Sequence, residues 1–369
     1  MITRVWGDGG GTTSGGPSEA TGRAARHHRV SAALSALDDV RFRAFVDAAT
    51  PAGTGIGGRT ARSTVDGVEV FVKQVPLTDL ERQAVHRGST ANVFGLPLYY
   101  QYGVGSTGFG AWRELAAQRL TTGWVLAGEA SAFPLLHHWR ALSAEASPPV
   151  PAAELDRSVR YWGGSAPVAE RLRQLAAARA RLVLVMEHLP YTVHEWLTAR
   201  VAEGGAVADA AIERVAAGWT AAVADMRTRG MVHFDAHPLN VLTDGEGVYV
   251  ADFGLALHPS FDLAADERRF LAAHRDFDRY DTARYLVNWL VAGLRPGEDR
   301  AAAIRAVMTG DPMSERSERA ARIIRRYGPV AERMNDFYAA LVNGPKTTPY
   351  PVEALARLWT DTAGRPDHR

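Results

Sequence analysis

The chain has 369 residues, with 42 Lys and Arg against 41 Asp and Glu, so its formal net charge is +1. A balance this close to neutral argues against a dedicated nucleic-acid binder or a protein that binds anionic membranes. The sequence has no Cys, which excludes disulfides, zinc–thiolate sites, iron–sulfur clusters and a catalytic thiol, and which suits a reducing cytoplasm. Any chemistry must therefore use oxygen and nitrogen side chains.

The sequence contains no apolar stretch close to the roughly 18 residues that span a bilayer, so we expect no membrane segment and a cytoplasmic protein. Residues 1–26 are rich in Gly, Ser and Thr and lack the apolar run of a secretory signal, which predicts a disordered tail. Residues 27–50 carry apolar side chains at helical spacing and predict one helix ahead of the first domain. Neither a nucleic-acid nor a membrane partner is expected.

Two lobes are expected, with a boundary near residue 188. Residues 51–187 combine glycine-rich turns, alternating strands and a helix from about residue 111; they predict a small α+β lobe with an antiparallel sheet and one main helix. Residues 188–369 are dominantly helical with one short strand pair, and they predict a larger helical lobe. The expected fold class is α+β.

Two long segments interrupt the pattern of the small lobe. Residues at about 75–110 are too many for an ordinary strand-to-helix connection, and they are rich in Gly and aromatic side chains. Residues at about 143–181 begin with a Pro-rich stretch and include a helix predicted over 166–181. Both segments are interpreted as insertions. The first either clamps an acceptor molecule or packs against its own lobe.

Lysine is rare in this chain. The 42 basic residues include only two Lys, Lys73 and Lys346. Against that background a Lys in a strand interior indicates a need for its compact point charge. Lys73 ends the run Val-Phe-Val-Lys at residues 70–73 and is therefore the first candidate functional residue.

A glycine-rich segment lies one strand away from Lys73. Residues 53–58 match the pattern G-x-G-x-x-G through Gly53, Gly55 and Gly58, and such glycines let backbone N–H groups approach phosphate oxygens. The residues that follow predict two antiparallel strands joined by an Asp-Gly turn. The segment is therefore interpreted as a flap on a hairpin, with the Lys73 ammonium placed where α- and β-phosphates would lie.

A second segment, residues 103–108, matches the same glycine pattern and opens a helix. No acidic residue follows it at the offset that a nucleotide ribose requires, so a dinucleotide-binding site is disfavoured. Within that helix Glu114 is the expected partner of Lys73, because a buried ammonium requires a carboxylate. Glu81 and Glu129 are the alternative partners.

The most informative pattern lies at residues 231–254. Two short apolar strands around a Gly-containing turn place Asp235, Asn240 and Asp252 at the ends of one hairpin. A carboxylate beside an acceptor hydroxyl can orient it and take its proton, while an amide oxygen and a second carboxylate supply hard oxygen ligands for Mg²⁺. This spacing predicts phosphoryl transfer.

Taken in order from residue 53 to about residue 281, these motifs resemble those of the protein-kinase-like superfamily. The resemblance implies a bilobal kinase-like fold, an ion pair between Lys73 and Glu114, and a hinge at residues 186–189 whose backbone contacts adenine. It also implies ATP as a substrate and Mg²⁺ as a cofactor. The roles implied are catalysis by Asp235, Lys73 and Glu114, nucleotide binding by Gly53, Gly55, Gly58, Lys73, Glu187 and Leu189, and metal binding by Asn240 and Asp252.

An Asp near the start of the helix predicted over 282–294 looks like the buried Asp that braces the catalytic loop in this superfamily. Asp281 is the expected residue, and Asp276 and Asp278 compete for the role.

Phe234 stands where many regulated protein kinases carry an Arg that pairs with an activation-loop phosphate. The segment 255–270 has Ser260 as its sole hydroxyl side chain. We therefore expect an enzyme that needs no phosphorylation of this segment.

The motifs point to two kinds of acceptor. The pattern His-x-Asp-x-His-x-x-Asn at residues 233–240 looks like that of aminoglycoside and choline phosphotransferases, whereas Asp-Phe-Gly-Leu-Ala at residues 252–256 looks like that of protein kinases. The expected acceptor is a Ser or Thr hydroxyl of a protein or peptide, and a small-molecule hydroxyl is the alternative. A second alternative is an ATP-binding pseudokinase scaffold without turnover. Paired histidines at 27–28 and 137–138 are interpreted as structural or surface residues.

Overall fold

A computed structural model describes residues 17–55, 58–144, 150–310 and 317–363. Within them the chain is an α+β protein with a five-stranded antiparallel sheet, which confirms the expected fold class. Among the described residues, no helix is both long and apolar enough to traverse a bilayer.

The five-stranded sheet has two differently packed faces. Its strands are β1 (Thr50–Gly55), β2 (Gly58–Val65), β3 (Val68–Pro76), β4 (Leu136–Ser143) and β5 (Ala180–Glu187), in the order β1-β2-β3-β5-β4. Asp66 and Gly67 have positive φ angles of 47° and 75° and form the predicted turn between β2 and β3. Because side chains alternate along a strand, Val70 and Val72 point to one face and Lys73 to the other.

Two helices cover the face that carries Val70 and Val72. They are α1 (Pro17–Ser35) and α2 (Asp39–Asp47), and they bury Val30, Leu34 and Phe42 against the strands. Burial of this apolar face attaches the amino-terminal helices to the sheet.

The predictions for residues 1–50 need correction. The disordered tail expected over 1–26 is wrong for residues 17–26, which belong to α1, and residues 1–16 lie outside the described residues. The single helix expected over 27–50 is also wrong. The run is divided at Asp38, which caps a new helix. Its backbone is extended, and its carboxylate accepts the Arg41 N–H at 2.8 Å.

The first insertion contains α3 (Asp79–Arg82) and a 3₁₀ turn (Leu98–Gln101), and it leads into α4 (Ala111–Leu126). Trp112 and Leu115 of α4 pack on the Lys73 face of the sheet. This helix is the main helix predicted for the small lobe.

The second insertion contains α5 (Ala152–Tyr161) and α6 (Ala166–Ala176). The helix predicted over 166–181 is therefore too long, because Ala180 already pairs with Ser143 in the sheet. Trp162 of this insertion is buried against Tyr100 of the first insertion. The two insertions thus share a small core of their own.

Residues after Glu187 form a mostly helical lobe. Its elements are β6 (Tyr191–Thr192), α7 (Val193–Glu203), α8 (Gly205–Thr228), β7 (Val241–Thr243), β8 (Val248–Val250), α9 (Ala265–Ala273), α10 (Phe277–Leu294), α11 (Arg300–Met308), α12 (Glu318–Asn343) and α13 (Val352–Ala363). Strands β6, β7 and β8 form a small antiparallel sheet. A large buried cluster that includes Trp219 and Phe337 holds the helices together, and it also takes in Tyr102 from the first insertion.

Candidate active site

Lys73 lies at the centre of a buried cluster of charges. Its strand neighbours are Thr60 in β2 and Leu184 in β5. The Nζ atom is 2.7 Å from Glu114 Oε1 and 2.8 Å from Asp252 Oδ1. The structure therefore brings together three side chains that the sequence singled out, from β3, from α4 and from the loop after β8.

The charge of Lys73 depends on these two carboxylates. Burial by itself lowers the pKa of a lysine, but the charges of Asp252 and Glu114 and their hydrogen bonds raise the pKa of Lys73 above its ordinary value. A permanent ammonium is thus held between the two carboxylates.

The alternative partners proposed for Lys73 contact other cations. Glu81 pairs with Arg171 at 3.1 Å and also caps the first turn of α4. Glu129 pairs with Arg229 at 2.9 Å. The carboxylate of α4 that reaches the ammonium is therefore Glu114.

A tight turn between residues 235 and 240 places Asp235 beside Asn240. The His237 N–H donates to the Asp235 carbonyl at 2.8 Å, and the Asn240 N–H donates to the His237 carbonyl at 2.8 Å. Asn240 Nδ2 donates to the Asp235 carbonyl at 2.9 Å and lies 3.4 Å from Asp235 Oδ2. These bonds explain why a spacing of five residues keeps the two side chains together.

Two residues of the site have a left-handed backbone that only Gly adopts readily. Phe234 has a φ of 66° and Asp252 a φ of 64°. Such conformations cost of order 1–3 kcal/mol each and persist where the surroundings hold them. The strain lies directly before Asp235 and at Asp252 itself, where side-chain direction matters most.

A buried Asp braces the strained loop, but it is not the expected one. Asp278 accepts the backbone N–H groups of His233 at 2.6 Å and of Phe234 at 2.9 Å. Asp281, the predicted brace, pairs instead with Arg284 at 2.6 Å. The prediction was wrong because α10 begins at Phe277, earlier than expected, so that Asp278 lies in its first turn next to the loop.

His233 connects the two halves of the site. Its Nε2 lies 3.0 Å from the Ala251 carbonyl, which can only accept, so this nitrogen carries the hydrogen. Its Nδ1 then accepts the Asp235 N–H at 3.2 Å. Burial lowers the pKa of His233 to about 4, so the ring is neutral and bridges the segments that carry Asp235 and Asp252.

The Asp235 carboxyl is poised to take up a proton. Burial, followed by the negative charges of Asp252 and Asp281, raises its pKa to about 8. Its side chain is 25% exposed, so it is still reachable. A carboxylate with a raised pKa is a better base for a hydroxyl proton than an ordinary one.

The described part of the glycine segment places Gly55 opposite Gly58 at the end of the β1–β2 pair, one strand earlier than the hairpin predicted to carry it; residues 56 and 57 lie outside the described residues. Gly58 has a φ of 123°, and a Cβ there would lie 2.2 Å from the Gln74 carbonyl oxygen. Only Gly fits at this position. Gly53 and Gly55 lie on β1, beside the same turn.

The predicted hinge is tied to the amino-terminal helix. The Glu187 carboxylate accepts from Arg23 of α1 at 2.6 and 3.0 Å, and the Glu187 N–H donates to the Leu135 carbonyl at 2.8 Å. Glu187 and Leu189 line a surface cavity on the Arg23 side. Nothing in the sequence pattern had connected Arg23 with residue 187.

A cavity of about 420 Å³ opens beside the turn at residues 235–240. Its lining includes Glu114, Asp235, Asn240 and Asp252 from the predicted site. It also includes residues 105–108 and, from α6, Arg171 and Leu175, so both insertions contribute to it. The second glycine pattern was the signal that could have indicated this.

The other predicted site residues lie elsewhere. Within the described part of the chain, the lining of this cavity does not include Lys73, Glu187 or Leu189, or the glycines of residues 53–58.

Comparison with known proteins adds no family assignment. A scan against models of protein families finds no match, and a search of curated protein sequences finds none either. The fold and the site define the class as an α+β protein with a carboxylate–ammonium cluster whose carboxylates line a cavity.

Proposed function

We propose that this protein is a bilobal, protein-kinase-like phosphotransferase that moves the γ-phosphate of ATP to a hydroxyl group, with Mg²⁺ bound. The observation that carries the proposal is the contact of Lys73 with both Glu114 and Asp252, at 2.7 and 2.8 Å, in the same cavity wall as Asp235 and Asn240. An ammonium for phosphates, oxygen ligands for a metal and a base for a hydroxyl are the parts that phosphoryl transfer needs.

The donor set fits Mg²⁺. Asp252 has one oxygen on Lys73, while 40% of its side chain is exposed, and Asn240 lines the same cavity. Among the described residues no group of three or more His, Asp or Glu side chains could hold a metal ion, so Asp252 and Asn240 would share the ion with phosphate oxygens and water. Bound there, Mg²⁺ would neutralise negative charge on the phosphates.

In the proposed reaction the acceptor oxygen forms a bond with the γ-phosphorus, and the bond from that phosphorus to the bridging oxygen breaks. ADP leaves with the electron pair of the broken bond. The hydroxyl proton passes to the Asp235 carboxylate, whose raised pKa suits this transfer. Lys73 orients the phosphates, and Glu114 holds Lys73 in place.

The fold supports the same proposal. A small lobe built on an antiparallel sheet and one main helix carries Lys73 and Glu114, and a helical lobe carries Asp235, Asn240 and Asp252. The motifs occur in the chain order that the resemblance implies. We infer that the acceptor hydroxyl enters from the cavity between the insertions.

The first test is ATP consumption by the purified protein with Mg²⁺, with and without hydroxyl acceptors, followed by intact mass. Asp235→Asn should keep nucleotide affinity and lower turnover by about 100-fold or more, because the proton acceptor is lost. Lys73→Met should weaken both binding and turnover.

Asp79→Asn serves as the matched control, because Asp79 is exposed and pairs only with the surface residue Arg82. It should behave like the wild type. Full turnover in Asp235→Asn would show that the catalytic loop is wrongly assigned. Nucleotide binding without transfer to any acceptor would point to the scaffold alternative.

A further inference from the structure

Residues 103–108 form a roof over the catalytic carboxylate; we call this segment the roof loop. A Cβ on Gly103 would lie 2.2 Å from Asp235 Oδ1 and 3.2 Å from the Phe234 carbonyl. A Cβ on Gly108 would lie 2.4 Å from the Gly254 carbonyl. The backbone of the loop therefore touches the segments on both sides of the proposed metal ligands, at a closeness that only Gly permits.

Two anchors hold the start of the roof loop on the helical lobe. The Gln101 side chain, buried just before the loop, donates from Nε2 to the Leu255 carbonyl. The neighbouring Tyr102 hydroxyl lies 2.7 Å from His274 Nε2. These contacts connect an insertion of the first lobe with the second lobe, over more than 150 residues of sequence.

The anchor at the other end of the loop comes from the second insertion. Arg171 of α6 donates from Nε to the Gly108 carbonyl at 3.1 Å, and its charge is matched by Glu81 at 3.1 Å. Arg171 and Glu81 are both buried. The loop is thus fixed at both ends by buried side chains.

The roof limits what can approach Asp235. The carboxylate is 25% exposed and opens into a cavity of about 420 Å³. That volume must also hold the end of the nucleotide, so little room is left for the acceptor. A hydroxyl on the rigid surface of a folded protein would meet the roof loop before it met the carboxylate.

The cavity wall carries an excess of carboxylates. Glu114 and Asp252 share the single Lys73 ammonium, Asp235 adds a third carboxylate, and the Arg171 guanidinium is already paired with Glu81. Ser106, Thr107 and Leu239 are among the uncharged residues of the lining. The wall therefore disfavours an anionic acceptor, and its charge does not exclude a neutral or cationic one.

We infer that the roof loop selects the acceptor by shape: it admits an alcohol on a slender molecule or unfolded segment, and it excludes hydroxyls of folded proteins. This inference rests on the proposed function. The same chemistry could come from a neutral sugar or polyol, or from a Ser or Thr in an unstructured peptide. It narrows the protein acceptor expected from the sequence to an unfolded one.

The test compares four acceptors at equal hydroxyl concentration with Mg²⁺ and ATP: a neutral hexose, a cationic aminoglycoside, a short uncharged unstructured peptide with one Ser, and a folded protein with exposed Ser. We expect the hexose, the aminoglycoside or the peptide to accept phosphate at least about tenfold faster than the folded protein. Intact mass identifies which of these slender acceptors is used.

Two variants test whether the roof loop is responsible for the preference among acceptors. Gly103→Ala should retain nucleotide affinity but lower transfer by about 100-fold, because its methyl group displaces the Asp235 carboxylate. Gln101→Ala removes an anchor of the roof loop. It should reduce the difference between the rates of phosphate transfer to slender and to folded acceptors. Gly123→Ala, in open space on α4, is the matched control and should leave transfer unchanged.

The outcomes separate the two proposals. If ATP is turned over but the folded protein is the best acceptor, or if Gly103→Ala transfers like the wild type, the roof loop does not select the acceptor. If the wild type neither binds nor consumes ATP, the proposed function fails and the inference fails with it.

Discussion

Asp278 shows how one buried carboxyl group can determine the backbone of the loop that carries Asp235. The loop runs through Phe234, which has a left-handed backbone. The N–H groups of Phe234 and of His233 before it both donate to the Asp278 side chain. These two hydrogen bonds offset the cost of the strained backbone. The position of the Asp235 carboxylate is therefore set from a helix that lies outside the cavity lining.

Removal of this carboxylate should destabilise the protein. Asp278→Ala leaves two buried N–H groups without their acceptor, and we expect the free energy of unfolding to fall by about 3 kcal/mol. Urea denaturation measures the change. Asp276→Ala, which removes a partly exposed carboxylate near the start of the same helix, should cost about 1 kcal/mol or less. Equal losses in the two variants would argue against the bracing role.

At the scale of elements, α1 reinforces the connection between the lobes. Arg23 reaches the Glu187 carboxylate through two hydrogen bonds and also donates to the carbonyls of Ser131 and Phe133, at 2.9 and 2.7 Å. One guanidinium thus joins the end of β5 to the segment that leads into β4. A helix that the sequence assigned partly to a tail is instead part of the hinge region.

This contact predicts an effect on stability and on nucleotide binding. Arg23→Ala leaves the Glu187 carboxylate without its cation, so the free energy of unfolding should fall by about 3 kcal/mol. If the backbone of residues 186–189 contacts adenine, the Kd for ATP should rise as well. Thermal denaturation and nucleotide titration measure the two effects. Arg41→Ala, at an exposed position on α2, is the control, and an equal effect there would contradict the assignment.

At the scale of the whole molecule, the two lobes are joined by more than the hinge. Arg113 of α4 pairs with Glu267 of α9 at 2.6 Å, and both side chains are buried. Thr90 of the first insertion donates its hydroxyl to Asp262 at 3.2 Å. With the roof loop, these contacts attach α4 and its Glu114 to the helical lobe. We expect the active arrangement of Lys73 and Glu114 to be preformed.

Both lobes contain histidines that are buried in the neutral form. Burial, and secondarily His27, lowers the pKa of His137 to about 4, and burial lowers the pKa of His274 to about 4. In the unfolded chain a histidine has a pKa near ~6.5. Between about pH 6.5 and 4 the unfolded chain therefore binds protons that the native protein does not.

Acid should therefore destabilise the protein through these groups. Their contribution to stability is complete above about pH 6.5, and each loses about 1.4 kcal/mol per pH unit as the pH falls towards 4. His137→Gln should remove the uptake of about one proton on unfolding, so the free energy of unfolding should depend less on pH. Urea denaturation across this range measures the change. Val40→Ala, at an exposed position on α2 that carries no titrating group, is the control and should leave the pH dependence unchanged. A pH slope that is the same in all three proteins would refute the prediction.

Local patterns in the sequence were sufficient for much of the fold and for most of the candidate site. Alternating side chains and an Asp-Gly turn predicted the β2–β3 hairpin, because strand pairing across a tight turn depends on neighbouring residues. The spacing from Asp235 to Asn240 predicted a shared turn for the same reason. Lys73 was identifiable because it is one of only two Lys in the chain.

Only the tertiary structure decided among equivalent residues. Glu114 rather than Glu81 or Glu129 meets Lys73, and Asp278 rather than Asp281 meets the catalytic loop. Each choice depends on where a helix begins and which face packs inward, and the free energies that decide this come from contacts between residues far apart in the sequence. The roof loop over Asp235 and the Arg23 contact at the hinge arise in the same way. The sequence alone thus determined which chemical groups are present, and long-range packing determined which of them meet.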